Sequence, residues 1–377
     1  MMRDFDPEHE GRMQLTGETM TVLNLSSYNY LGFAESEMDI RDDVVRTLRE
    51  FGASSCSSRS ELGTSRVHLE LETLVADFLG KEAAMVIGMG FASNSAVLPA
   101  LLNQGDLILS DELNHRSIVD GARLSQATVR VFKHNCAASL ERQIRAAIVK
   151  GRWRKIVVLT EGLFSMEGAI CNLQAISAVC KRYRAYLYVD EAHSIGALGR
   201  TGRGVREHCG VPPEDVAVFM GTFTKAFGSV GGYIAASAEV IQYLKRKCAC
   251  NVAACSMSPA CAQQALAALR MIDGQDGTGR GLRKLRQIKE NANAFRRGLK
   301  KLGYQVLGDE DSPVIPALLF QVNSVCFFLL WYVDLMHEIT IITIAKNHSP
   351  PKCPRSPAPA WPASWRLSSS ARRPRPC

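Results

Sequence analysis

The sequence predicts an α/β fold, a mainly parallel sheet covered by helices, on three observations. Short apolar runs of strand length alternate with longer stretches of helical period, and Gly and polar residues sit between them. Strand–helix alternation of this kind builds a parallel sheet rather than a sandwich or a bundle. The chain, 377 residues with 46% hydrophobic and 22% charged residues, also has the balance of an ordinary soluble enzyme, which excludes collagen-like, disordered and multi-pass membrane proteins.

Strands are expected over 83–87, 107–110, 129–133, 155–160, 185–190 and 216–221. Amphipathic helices are expected over 67–79, 92–102, 139–149, 173–183 and 239–247. The domain reading is an N-terminal arm over 1–50, a large domain over 51–275 and the start of a smaller C-terminal domain over 276–321. That smaller domain opens with a helix over 282–302 and the strand-like SPVIPALLF. Composition changes near residue 322, where an apolar, aromatic-rich run begins; eight of the 15 prolines then fall in a Pro/Ser/Arg tail after residue 349. The tail cannot pack a core and is expected to be disordered.

Net charge is +8, but residues 346–377 hold seven Lys/Arg and no acid, leaving 38 basic against 37 acidic groups elsewhere. No basic face for nucleic acid is implied. The 12 cysteines show no CxxC pair and no zinc spacing, so no metal is expected; the Cys248/Cys250 pair reads as structural. The N-terminus is polar and acidic, unlike a signal or transit peptide. The run over 325–345 is apolar enough to weigh as a membrane span, against which stand Asp334, His337 and Glu338 near its middle.

In open α/β sheets ligands sit beyond the carboxyl ends of the strands. Five elements there carry polar chemistry. In GTFTKAFGSVGGY, Lys225 follows a strand among small residues, where a partly desolvated amine becomes a nucleophile able to form a Schiff base. Thr222 and Thr224 beside it are hydroxyl donors suited to a phosphate; the plainer reading is a solvated loop lysine. In YLYVDEAHS, Asp190 ends a strand and His193 follows, a carboxylate placed to keep a ring nitrogen protonated and an imidazole able to bond a phenolic oxygen. A strand-end Asp also serves as a simple turn cap. His115 in SDELNHRSI could lie flat on a planar cofactor or be an incidental loop histidine. Gly90 and Phe91 in IGMGFASN precede a helix and offer bare N–H groups to an anion, though a lone G-x-G is a weak signal. Ser165 in EGLFSMEG follows a further strand.

In order along the chain, SYNYLGF, GMGFASN, DELNHRSI, EGLFSMEG, VDEAHS and GTFTKAFG resemble the pyridoxal-phosphate-dependent α-oxoamine synthases, from about Asn24 to Phe320. The GTFTKAFG…GGY lysine motif, RVFKHN and ALGRTGRGV resemble, within that family, the lysine-bearing second subunits of serine palmitoyltransferases. The resemblance implies the type I pyridoxal-phosphate transferase fold with pyridoxal 5'-phosphate as cofactor. Lys225 would hold the cofactor as a Schiff base and take the substrate α-proton. Asp190 would pair with the ring nitrogen, His193 touch the ring hydroxyl and His115 stack on the ring. Thr222, Thr224 and the Gly90–Phe91 backbone would hold the phosphate, with Ser165 close by. The implied reaction joins L-serine and palmitoyl-CoA to 3-ketodihydrosphingosine in the first step of sphingolipid synthesis. The implied partner is a lysine-less first subunit in a heterodimer on the cytosolic face of the endoplasmic reticulum membrane, with membrane association through that partner or an N-terminal segment. Two alternatives stand beside it: a relative using glycine or alanine, and an inactive chain that only binds the partner. The second is suggested by the sequence after Phe320, which shows neither the family's PATP-type loop nor its carboxylate-binding arginine, so a truncated small domain is expected.

Overall fold

Seven strands form the central sheet: β1 (Ala83–Ile87), β2 (Leu107–Asp111), β3 (Thr128–Phe132), β4 (Ile156–Glu161), β5 (Tyr186–Asp190), β6 (Val218–Thr222) and β7 (Gly232–Ala236). They lie in the order β1-β7-β6-β5-β4-β2-β3. Pairs β3–β2, β2–β4, β4–β5 and β5–β6 are parallel, and β7 runs antiparallel to both β6 and β1. This computed structural model describes residues 3–5, 13–15, 19, 27–35, 40–318 and 343–344.

The period of two sends neighbouring residues of one strand into opposite cores. Leu107, Leu109, Val158, Leu187, Val189 and Phe219 enter one apolar cluster. Ile108, Val157, Leu159, Tyr188, Val218 and Met220 enter the other. Both faces are covered, which is why these strands read as continuous apolar runs rather than as an alternation. The flanking helices start and stop where local chemistry dictates. Ser65 and His68 form a capping box at the start of Arg66–Leu79, and Gly80 ends that helix in the left-handed region at φ +69°.

All six expected strands are present, the first (83–87) with its expected ends and the others with ends moved by at most two residues. The sequence reading left out β7, because GGYIAA looks like the tail of a glycine loop. The helix expected over 92–102 is two short helices, Ala92–Ser95 and Val97–Leu101. Pro99 has no N–H to give to the carbonyl of Ser95, so the first helix cannot run on. Helices Ile40–Phe51, Arg116–Leu124 and Pro259–Ile272 were also not among the expected elements.

After the large unit, helix Arg280–Lys301 leads into strand Gln305–Val306, which pairs antiparallel with Ala317–Leu318. Ala292, Phe295, Leu299, Ile315 and Ala317 form a small core of their own. Thr343–Ile344 adds a parallel strand to Ala317–Leu318. The rest of the apolar run over 325–345 and the Pro/Arg-rich tail lie outside the described residues, as does most of the N-terminal arm. Among the described residues no helix is long and apolar enough to cross a membrane.

Candidate active site

Glu161, Asp190 and Thr222 are the last residues of β4, β5 and β6, so three adjacent parallel strands deliver two carboxyls and a hydroxyl to one end of the sheet. Register places Glu161 directly beside Asp190. Asp190 is 3% exposed. One of its oxygens accepts the Ala192 N–H at 2.8 Å and the other accepts Asn94 Nδ2–H at 2.7 Å. Burial pushes this carboxyl above its usual range, while the two hydrogen bonds and the nearby Lys225 and His115 pull it down. Glu161 is pushed up well beyond its ordinary value, chiefly by burial and then by the Asp190 charge. Glu161 accepts a hydrogen bond from the His115 backbone N–H.

Lys225 stands on a loop closed at its base by bonds from Phe223 N–H to Gly231 O (2.9 Å) and from Ser229 N–H to Phe223 O (2.9 Å). Phe223 and Phe227 are fully buried and meet edge to face at 5.6 Å, pinning the loop on both sides of the lysine. Gly228 takes φ +61°, and a Cβ there would fall 2.4 Å from Ala34 N, so only glycine lets the loop lie on the segment around Phe33. The Lys225 amine is thereby held in a partly buried position, 5.8 Å from the Tyr28 ring centre. Burial lowers its pKa, and the Asp190 and Glu161 carboxyls raise it again.

His193 is buried in the turn after β5. Its Nδ1 lies 2.7 Å from the Tyr30 hydroxyl, and the Tyr28 ring meets it edge-on at 5.7 Å. Burial, then the nearby Lys225 and His115, hold the imidazole well below its normal pKa, while burial raises that of Tyr30. Both groups are therefore neutral. Tyr30 thus occupies Nδ1 and leaves Nε2 as the ring nitrogen available to another partner. His115 caps helix Arg116–Leu124, its Nδ1 accepting the Ser117 N–H, and Phe91 stands edge-on to it at 6.0 Å.

A Cβ on Gly90 would lie 2.7 Å from Thr222 Oγ1, so the 88–91 loop approaches β6 closely only because residue 90 is glycine. Thr222 gives its proton to Gly231 O at 2.8 Å and accepts from the Thr224 N–H at 3.2 Å and hydroxyl at 2.8 Å. Both hydroxyl protons of the pair are thus spent inside the protein, Thr222's on Gly231 and that of the exposed Thr224 on Thr222. Ser165 is half-exposed in the turn between Leu163–Phe164 and Ala169–Ile170. The structure thus gathers Gly90, Phe91, His115, Asp190, His193, Thr222, Thr224 and Lys225 at one end of the sheet. Sequence reasoning missed the partners that hold them: Asn94, Glu161 and Tyr30. Glu161 was within reach, as an acid at a strand's carboxyl end; the expected strand stopped one residue short of it.

Directly after Asp190, Glu191 is wholly buried, accepts from the Ser194 hydroxyl and the Val205 N–H (2.9 Å), and leaves Oε1 without a partner. Burial pushes its pKa from 4.5 to about 7. The folded protein therefore binds the proton more tightly than the unfolded chain does. The stabilisation is complete below pH 4.5 and is lost as pH rises to about 7. Glu191→Gln, which cannot ionise, should gain stability relative to the parent between pH 5 and 8, by on the order of 3 kcal/mol. Melting curves of both proteins at the two pH values measure this; a gap that does not change with pH would contradict it.

Comparison with known proteins decides the family. Residues 20–345 match the family model for aminotransferase class I and II. The chain belongs to that family. Within it, the chain is 51% identical over 341 residues to long chain base biosynthesis protein 2d of Oryza sativa subsp. japonica, covering 89% of this chain and 69% of the relative. It is 44% identical over 352 residues to serine palmitoyltransferase 2 of Dictyostelium discoideum, covering 92% and 71%. A solved structure of SPT with PLP internal aldimine superposes with a TM-score of 0.73 at 29% identity, covering 80% of this chain and 73% of that one. As a class I and II aminotransferase-family member of the serine palmitoyltransferase branch, the chain has the type I fold that its sequence implies. The cluster at the strand ends lies within the matched range.

Proposed function

We propose that this chain is the lysine-bearing, pyridoxal-phosphate-dependent subunit of a serine palmitoyltransferase. One observation carries the reading: the amine of Lys225, the carboxylate of Asp190 and the imidazoles of His115 and His193 meet at the carboxyl end of the sheet in a chain this similar to serine palmitoyltransferases. The residues fit the cofactor. Asp190 is a buried carboxyl whose desolvation a cationic ring nitrogen would offset, Lys225 is an amine with a lowered pKa, and Gly90 and Phe91 stand at the start of a short helix close against Thr222, where a phosphate would meet backbone N–H groups.

Bound there, pyridoxal phosphate would supply an aldehyde for amines and a protonated ring that accepts the electron pair released at the serine α-carbon. The protein's own contribution follows from the geometry. Asp190, fixed by Asn94 and Ala192, would keep the proton on the ring nitrogen. His193 would meet the ring hydroxyl through Nε2, since Tyr30 engages Nδ1. His115 would cover the ring. Lys225 would take the proton from the α-carbon, and burial, by lowering its pKa, favours the free amine that this needs. Overall the α-carbon forms one C–C bond to the palmitoyl carbonyl, coenzyme A leaves as the thiol, and the carboxylate leaves as CO2 with one proton returned to the α-carbon.

A heterodimer with a lysine-less first subunit, on the cytosolic face of the endoplasmic reticulum membrane, completes the proposal and is supported by the motif resemblance. To test the substrate, the full chain is co-expressed with a first subunit and offered palmitoyl-CoA with L-serine, glycine or L-alanine. The expected product is the 3-keto long-chain base from serine; preference for glycine or alanine would reassign the chain within the family.

A further inference from the structure

Asn94 sits on the four-residue helix that follows Gly90 and Phe91, is fully buried, and has every polar group of its side chain used. One N–H goes to Asp190 Oδ2 at 2.7 Å and the other to Ser117 Oγ at 2.9 Å. Its oxygen accepts from the Tyr188 hydroxyl at 2.8 Å, which fixes which end of the amide points where. Ser117, also buried, lies 2.7 Å from His115 Nδ1 through its hydroxyl, and its backbone N–H donates to the same nitrogen at 3.2 Å. Nδ1 is therefore an acceptor. The Ser117 hydroxyl spends its proton there and receives one from Asn94. Glu161, beside Asp190 in register, accepts the His115 backbone N–H, so the chain of bonds ends next to the carboxyl where it began. Gly121, one turn along from Ser117, makes this possible, since a Cβ there would come within 2.7 Å of Asn94 O.

Each group in this circuit has its donor and acceptor roles set by the next. A buried polar network with all members satisfied is rigid, and one with a missing member is costly. We propose that Asn94 is a positioning residue: through Ser117 it locks the His115 ring to the Asp190 carboxylate, so that the group covering the cofactor ring and the group holding its nitrogen keep one fixed relation. This rests on the cofactor reading above and adds to it a side chain that touches only protein.

The test uses the full chain with pyridoxal phosphate, and compares Asn94→Ala, Ser117→Ala and the double variant. Cofactor affinity comes from titration of the visible absorbance, and ring placement from the circular dichroism of the bound cofactor at saturation. Each single change should weaken binding by about tenfold. Because both break one circuit, the double variant should remain near tenfold rather than reach the roughly hundredfold of independent sites. At saturating cofactor the visible dichroism should be altered in all three, which a general loss of stability would not produce. Should Asn94→Ala fail to fold, Tyr188→Phe releases the amide's orientation and should show the same altered dichroism. Binding and dichroism like the parent's in Ser117→Ala and Tyr188→Phe would overturn the inference, as would additive losses in the double variant. Absence of a visible band in the parent protein would instead defeat the cofactor reading.

Discussion

Lys225→Ala should lose essentially all condensation activity, by more than roughly a thousandfold in kcat, because one side chain supplies both the covalent link to the cofactor and the base for the α-proton. The fold gives a control for this result. The loop is held by Phe223, Phe227 and the Phe223–Gly231 and Ser229–Phe223 backbone bonds, none of which involves the lysine side chain. Removing an amine whose burial is already unfavourable should leave the melting temperature equal or raised. Assays of kcat beside thermal melts separate the two effects. A variant that melts like its parent and still turns over would show that the amine has another role.

Asp190→Asn should retain cofactor and lose at least about a hundredfold in the rate of α-proton removal, by comparison with other electrostatic deletions in desolvated sites. The substitution keeps the shape but not the charge, and it turns one acceptor into a donor facing either Asn94 or Ala192. One buried N–H then meets another. The decisive readout is exchange of the serine α-proton with solvent deuterium, followed by NMR, since it isolates proton removal from the later bond-forming steps. Exchange at the parental rate would remove Asp190 from the role of keeping the ring protonated.

Much of this was legible in the sequence, for physical reasons. A strand buried on both faces must be apolar throughout, so ILSD, VVLTE and LYVD stand out, and in a parallel sheet the polar residue that ends each run falls at the ligand side. Asp190, Thr222 and Lys225 could be found that way. What could not be read is what depends on pairs distant in sequence. Nothing in SYNYLGF says that the Tyr30 hydroxyl will meet His193 Nδ1, 163 residues away. Nothing local to Asn94 says that its two N–H groups will reach Ser117 and Asp190. Thr222 and Thr224 look alike in the sequence, but register beside β7 engages one with Gly231 and leaves the other exposed. Strand β7 itself was hidden because its first residues double as the end of the lysine loop.

Lys225 is the residue expected to carry the cofactor. The full chain, purified with pyridoxal phosphate, is reduced with borohydride, digested and mapped by mass spectrometry. The cofactor should be found fixed to the peptide containing Lys225, with the visible absorbance lost on reduction. Fixation to any other lysine, or recovery of an unmodified Lys225 peptide from protein that had shown the visible band, would contradict it.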